Sequence, residues 1–87
     1  MKVSALISRT VPQFVTKAHN LDHIGWCDGY LLVKFKSSNS LWVYGPAIPE
    51  LKRDQILANP YPDALFSKLK NHWKVYKVEV KRLNGTP

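Results

Sequence analysis

The stretch His23–Pro49, HIGWCDGYLLVKFKSSNSLWVYGPAIP, decides the fold. Ile24 and Trp26 alternate with Gly25 and Cys27 as the two faces of a strand require, and Asp28-Gly29 then supplies the dipeptide that most readily takes the positive φ of a hairpin turn. A second strand starts at once. In YLLVKFK, Leu31, Val33 and Phe35 fall on one face and Tyr30, Leu32, Lys34 and Lys36 on the other. A slip of a single residue would drive lysines into the core, so the register is well specified. The polar loop Ser37–Ser40 has ordinary hairpin length, and LWVY follows with Leu41 and Val43 set against Trp42 and Tyr44. Gly45 and Pro46 end this third antiparallel strand, because proline has no N–H for the ladder and glycine no side chain to pack.

Beyond Pro49 the period changes. Glu50–Ala58 reads as a short helix, with Pro49 tolerated in its first turn, Glu50 at the positive end of the dipole, and Leu51, Ile56 and Leu57 as apolar contacts. The prolines of Asn59–Pro62 break it, and Ala64, Leu65, Phe66, Leu69 and Trp73 form the apolar side of a second helix. KVYKVEVKRL returns to strand chemistry, with Tyr76, Val78 and Val80 opposite Lys77, Glu79 and Lys81, and residues 84–87 read as a frayed tail. In the N-terminal extension, residues 1–20, the alternation of Val3, Ala5 and Ile7 suits a short strand, whereas Val11, Phe14, Val15 and Ala18 fall at helical spacing. The expectation is a single α+β domain with its core in residues 22–76: a small antiparallel sheet of three to four strands with two short helices packed on one side.

Size and charge bound the function. An 87-residue chain buries only about 60–65% of its unfolded surface, so most of its apolar residues are needed for the core. Thirteen Lys and Arg against six Asp and Glu leave a formal charge of +7, which attracts polyanions. Cys27 is the only cysteine, which excludes an intrachain disulfide scaffold. No apolar run approaches the roughly 18 residues of a membrane span, and Arg9 interrupts the N-terminal apolar patch before a signal-peptide core forms. A cytoplasmic location without membrane attachment is expected.

The order of strand, tight turn, strand, loop, strand, aromatic pair and helix resembles the KTSC domain, named for an extension at the C-terminus of some lysyl-tRNA synthetases and found also in small stand-alone bacterial and phage proteins. The residues that carry the resemblance are Ile24, Gly25 and Trp26, then Asp28, then Leu32 and Phe35, then Trp42 and Tyr44. Ile48 and Pro49, the run Ile56, Leu57 and Ala58, and Phe66 complete it. It spans residues 22–76. Two places depart from the family, over four residues: Tyr61, Pro62 and Asp63 stand where a small Ser-Lys-Gly step is usual, and Ser67 where asparagine commonly follows the phenylalanine. Through its synthetase context the resemblance implies a role at RNA or DNA.

The candidate chemistry is basic and aromatic. Tyr30, Trp42 and Tyr44 lie on adjacent strands with Lys34 and Lys36 on the face of Tyr30, so one sheet face could offer rings for stacking and cations for phosphates. Whether that face is open depends on which of two sets turns inward: Leu31, Val33 and Phe35, or Trp42 and Tyr44. A second basic group runs through Lys68, Lys70, Lys74, Lys77, Lys81 and Arg82. Against a metal site, His19 and His23 with Asp22 between them do not fall on a continuous helix, and His72 is explained by the helix end it occupies. Catalysis lacks a paired carboxylate or a Ser/His/Asp signature, and Asp28 beside Cys27 disfavours a thiolate. The sequence therefore points to a non-enzymatic nucleic-acid-binding domain needing no cofactor, metal or small-molecule substrate. The alternative is a protein-interaction module or small regulator docking on a partner protein.

Overall fold

In a computed structural model of the protein, which describes residues 3–79, Asp28 and Gly29 hold φ of 50° and 85° and close the expected left-handed hairpin turn. Around it the chain runs α1 (Val3–Arg9), β1 (Gln13–Phe14), β2 (Leu21–Cys27), β3 (Tyr30–Phe35), β4 (Ser40–Tyr44), α2 (Glu50–Ala58), α3 (Pro62–Leu69), a 3-10 turn (Lys70–His72) and β5 (Val75–Glu79). The sheet is a five-stranded antiparallel meander in sequence order, one strand more than the upper end of the expectation. The α+β class is as expected.

Cross-strand pairing sorts the side chains. Ile24 pairs with Val33, Val33 with Trp42 and Trp42 with Lys77, while Trp26 pairs with Leu31, Leu31 with Tyr44 and Tyr44 with Val75. These rows form the face under α2 and α3, where Ile24, Leu31, Val33 and Tyr44 bury against Ile48, Ile56 and Phe66. The register shifts between Leu21 and His23, with Asp22 the residue left over, and this bulge brings both Leu21 and Ile24 into the same core. On the other face lie Gly25, Leu32, Val43 and Tyr76 in one row and Phe14, His23, Lys34, Leu41 and Val78 in the next.

Here the N-terminal expectation is overturned. Residues 3–9 are helix and residues 13–14 are strand, the reverse of the pattern reading. Leu6 buries against Cys27, Leu32 and Val43, while Ile7 stays 41% exposed, so the burial of Leu6, and not an alternation of Val3, Ala5 and Ile7, anchors the segment on the sheet. The side-chain hydroxyl of Thr10 donates to the Leu6 carbonyl at the end of the helix, and Arg9 meets Asp28 at 2.7 Å, tying that end to the hairpin turn. Helices therefore cover both faces: α2 and α3 on one side as expected, α1 on the other. Gly25 lets the extension approach, since a side chain there would collide with Thr10. Val15 and Ala18 are core, so the extension completes the domain.

The loop Gly45–Pro49 locks onto the hairpin turn. Ile48 N–H donates to the Gly29 carbonyl at 2.9 Å, and the indole N–H of Trp26 donates to the Ile48 carbonyl at 2.7 Å. Gly45 holds φ 137°, and a Cβ there would lie 2.7 Å from the Gly29 oxygen; the Gly45–Pro46 bond is cis. α2 has the expected bounds, with Pro49 as its extended N-cap, outside the first turn, and Ile56 as its buried residue. α3 stops before Trp73, which lies extended beyond the 3-10 turn with its ring edge-on to Tyr44. Among the described residues no helix is long and apolar enough to cross a membrane.

Candidate nucleic-acid interface

The second half of α3, the 3-10 turn and β5 carry the basic group. Lys68, Lys70, Lys74 and Lys77 are all exposed, and among the described residues none of them forms a salt bridge. From Ala64 to Val78 the chain holds no acidic residue. Helix, turn and strand follow one another directly, and the Gly45 N–H donates to the Lys74 carbonyl at 3.0 Å, fixing the entry to β5. His72 lies exposed in the 3-10 turn between them. Lys81 and Arg82, the remaining members of the expected group, lie outside the described residues, as do Val80 and the tail 84–87.

Lys77 links this ridge to the aromatic strand. Its ammonium sits 5.5 Å from the Trp42 ring centroid, a cation–π contact that follows from the Trp42–Lys77 pairing across β4 and β5. Trp42 is half-buried, edge-on to Phe35 at 6.2 Å, and its indole N–H is buried without an acceptor among the described residues. Its ring is therefore engaged by Phe35 and Lys77.

The stacking face inferred for Tyr30, Trp42 and Tyr44 is not a single surface. Both sets of residues left open by the pattern, Leu31, Val33 and Phe35 together with Trp42 and Tyr44, turn toward α2 and α3, because the β3–β4 register pairs Leu31 with Tyr44 and Val33 with Trp42. Tyr44 is 5% exposed, its ring edge-on to Phe66 at 5.1 Å, and burial pushes its phenol pKa upward. It has no face to offer a base. Tyr30 lies on the opposite side of the sheet, packed on the cluster of Leu6, Cys27, Leu32 and Val43. The ammonium of Lys34 donates to the Phe35 carbonyl at 3.0 Å, and that of Lys36 to the Ala18 carbonyl at 3.0 Å, so both lysines serve backbone groups.

Asp63 is the polar residue that pattern reading missed. Its carboxylate accepts N–H bonds from His19 at 2.7 Å, Asn20 at 3.2 Å and Leu21 at 3.0 Å, clamping the segment that enters β2 to the start of α3. Burial pushes its pKa up, but the donors from His19, Leu21 and Asn20 and the nearby His19 ring outweigh it and hold the carboxyl below its ordinary value. An aspartate one residue into a helix was the available sequence signal; its partners lie more than forty positions away. His19 is thus held through its backbone, and His23 contacts Asp22 at 3.1 Å and the Phe14 ring at 5.8 Å. Among the described residues no three His, Cys, Asp or Glu side chains gather to hold a metal. Cys27 is buried against Leu6 and its neighbours.

No protein-family model matches this chain, and no curated protein sequence matches it.

Proposed function

We propose that the protein is a cytoplasmic, non-enzymatic nucleic-acid-binding domain that holds phosphates along the Lys68–Lys77 ridge. The observation that carries this reading is the exposure of Lys68, Lys70, Lys74 and Lys77 on a segment without acids or salt bridges among the described residues. Each such ammonium placed against a phosphate releases a condensed counterion, which is the main source of sequence-independent affinity. The likeness to the KTSC domain supports the same class of partner. With Tyr44 buried and the Trp42 ring already under Lys77, recognition rests on phosphates and not on stacked bases, so little sequence preference is expected.

Fluorescence anisotropy with labelled single-stranded DNA, duplex DNA and RNA, between about 50 and about 200 mM salt, tests the reading. Affinity should fall steeply with salt. Replacing Lys70, Lys74 and Lys77 together by alanine should flatten the log–log slope by about 2–3 units. Absence of binding to all three probes at the lowest salt overturns the proposal, and an unchanged slope in the triple variant removes the ridge from it.

A further inference from the structure

Along the ridge itself no ring is free for a base, because Tyr44 is core and the Trp42 ring lies under Lys77. Just ahead of the ridge one ring is free. Tyr61, the residue before α3, is 75% exposed. Its backbone is nonetheless fixed: the Tyr61 N–H donates to the side-chain oxygen of Asn59 at 2.8 Å, and the Tyr61 carbonyl accepts the Leu65 N–H at 3.2 Å. Pro60 and Pro62 flank it, and Pro62 is buried. A large ring presented from a rigid stretch loses little freedom on binding, which suits a contact residue.

Two hollows meet at Tyr61. One, of about 230 Å³, is lined by Ala64, Leu65 and Lys68 beside it, and the other, of about 320 Å³, by Lys17, His19 and Asp63. Helical spacing sets Tyr61, Leu65 and Lys68 along one face, so the ring and the first lysine of the ridge open onto the same hollow. Lys17 borders the other hollow; it is exposed and, like Lys68, forms no salt bridge among the described residues. Asp63 is the one carboxylate among the lining residues, and its oxygens are engaged by the N–H groups of His19, Asn20 and Leu21. An open ring with a cation in each neighbouring hollow complements a nucleotide, whose flat base carries a phosphate on either side. Inside a duplex both faces of a base are already stacked on its neighbours, so only an unpaired base has a face to give.

We infer that Tyr61 is a base-stacking residue for single-stranded nucleic acid: an unpaired base lies on its ring while the phosphates on either side of that base reach Lys17 and Lys68. The inference rests on the phosphate reading and narrows its ligand to single strands. Every base has a π-face, so one stacked base adds affinity and little sequence preference.

The test is fluorescence anisotropy with three probes of equal length: a single-stranded oligonucleotide, the same strand made abasic throughout, and a blunt duplex. The wild-type protein should bind the intact strand about ten-fold more tightly than the abasic one. Tyr61→Ala should lose about ten-fold on the intact strand and nothing on the other two probes, with an unchanged salt slope because no cation is removed. Tyr61→Phe, which keeps the π-face, should stay within about two-fold of wild type. Equal wild-type affinity for the intact and abasic strands overturns the inference and leaves the phosphate reading standing. A preference for the intact strand that survives in Tyr61→Ala, or an equal loss on all three probes, does the same. A glutamate-rich peptide containing tyrosine that binds as tightly as the intact strand, and loses that affinity in Tyr61→Ala, makes the occupant a protein and also overturns it. Absence of binding to every oligonucleotide at the lowest salt overturns both readings. The comparison of intact and abasic strands uses the unaltered protein, so it decides the matter even where a variant fails to fold.

Discussion

Asp63→Ala should destabilise the domain by about 2–3 kcal/mol, although the residue is a carboxylate near the surface with no salt bridge among the described residues. The magnitude follows from its three donors. A hydrogen bond to a charged group nets about 1.5–3 kcal/mol when shielded from water. His19 and Asn20 are exposed, so water replaces the carboxylate there and each bond counts for about 0.5 kcal/mol; the Leu21 N–H is part-buried and counts for about 1.5 kcal/mol. Asp63→Asn keeps one acceptor oxygen and loses the charge, and should cost about half as much. In urea unfolding, a slope of about 1 kcal/mol/M turns the alanine effect into a fall of about 2–3 M in the midpoint. The pH dependence gives an independent check. Because the folded-state carboxyl titrates below its ordinary value of 3.8, its stabilisation is fully present above that value and is lost as the pH falls through the lower, folded-state value. The gap between wild type and Asp63→Ala should therefore be constant near neutrality and close in strong acid. A loss under about 0.5 kcal/mol at pH 7, or a gap that does not narrow on acidification, would refute the clamp.

Four further variants have expected outcomes. Gly45→Ala should cost about 1–3 kcal/mol in thermal or urea unfolding, since φ 137° suits glycine and the new Cβ would meet the Gly29 carbonyl. Trp26→Phe should cost about 1 kcal/mol by removing the indole N–H that the Ile48 carbonyl accepts, whereas Arg9→Ala, which removes an exposed ion pair with Asp28, should stay within about 0.5 kcal/mol by the same measurement. Tyr44→Ala should lower stability by about 3–5 kcal/mol, and any fraction that remains folded should bind nucleic acid like wild type in the anisotropy assay, because the ring lies in the core.

The pleat sets successive β5 side chains on opposite faces of the sheet. Lys77 and Trp42 share a row directed to the α2 and α3 side, while the adjacent β5 residues Tyr76 and Val78 point to the side of α1.

Residue pattern alone was enough for the centre of the molecule. Asp28-Gly29 admits one tight turn, Lys34 and Lys36 admit one register, and Gly45-Pro46 admits no continuation of β4; each is a local constraint, which is why the three strands and the bounds of α2 are legible without coordinates. The basic run from Lys68 to Lys77 was legible for the same reason, because charge and the absence of acids are properties of the chain itself. Tertiary structure alone decided what depends on a distant partner. Residues 3–14 carry apolar side chains that satisfy either period, and the outcome was set by Leu6 finding Leu32 and Val43 across the sheet. Trp42 and Tyr44 alternate as a strand should, but alternation names two faces without saying which is covered; pairing with Val33 and Leu31 turned both rings under the helices and removed them from the expected platform. Asp63 reads as an ordinary residue at a helix start, and it becomes a clamp only because the fold brings three amides from residues 19–21 to its carboxylate.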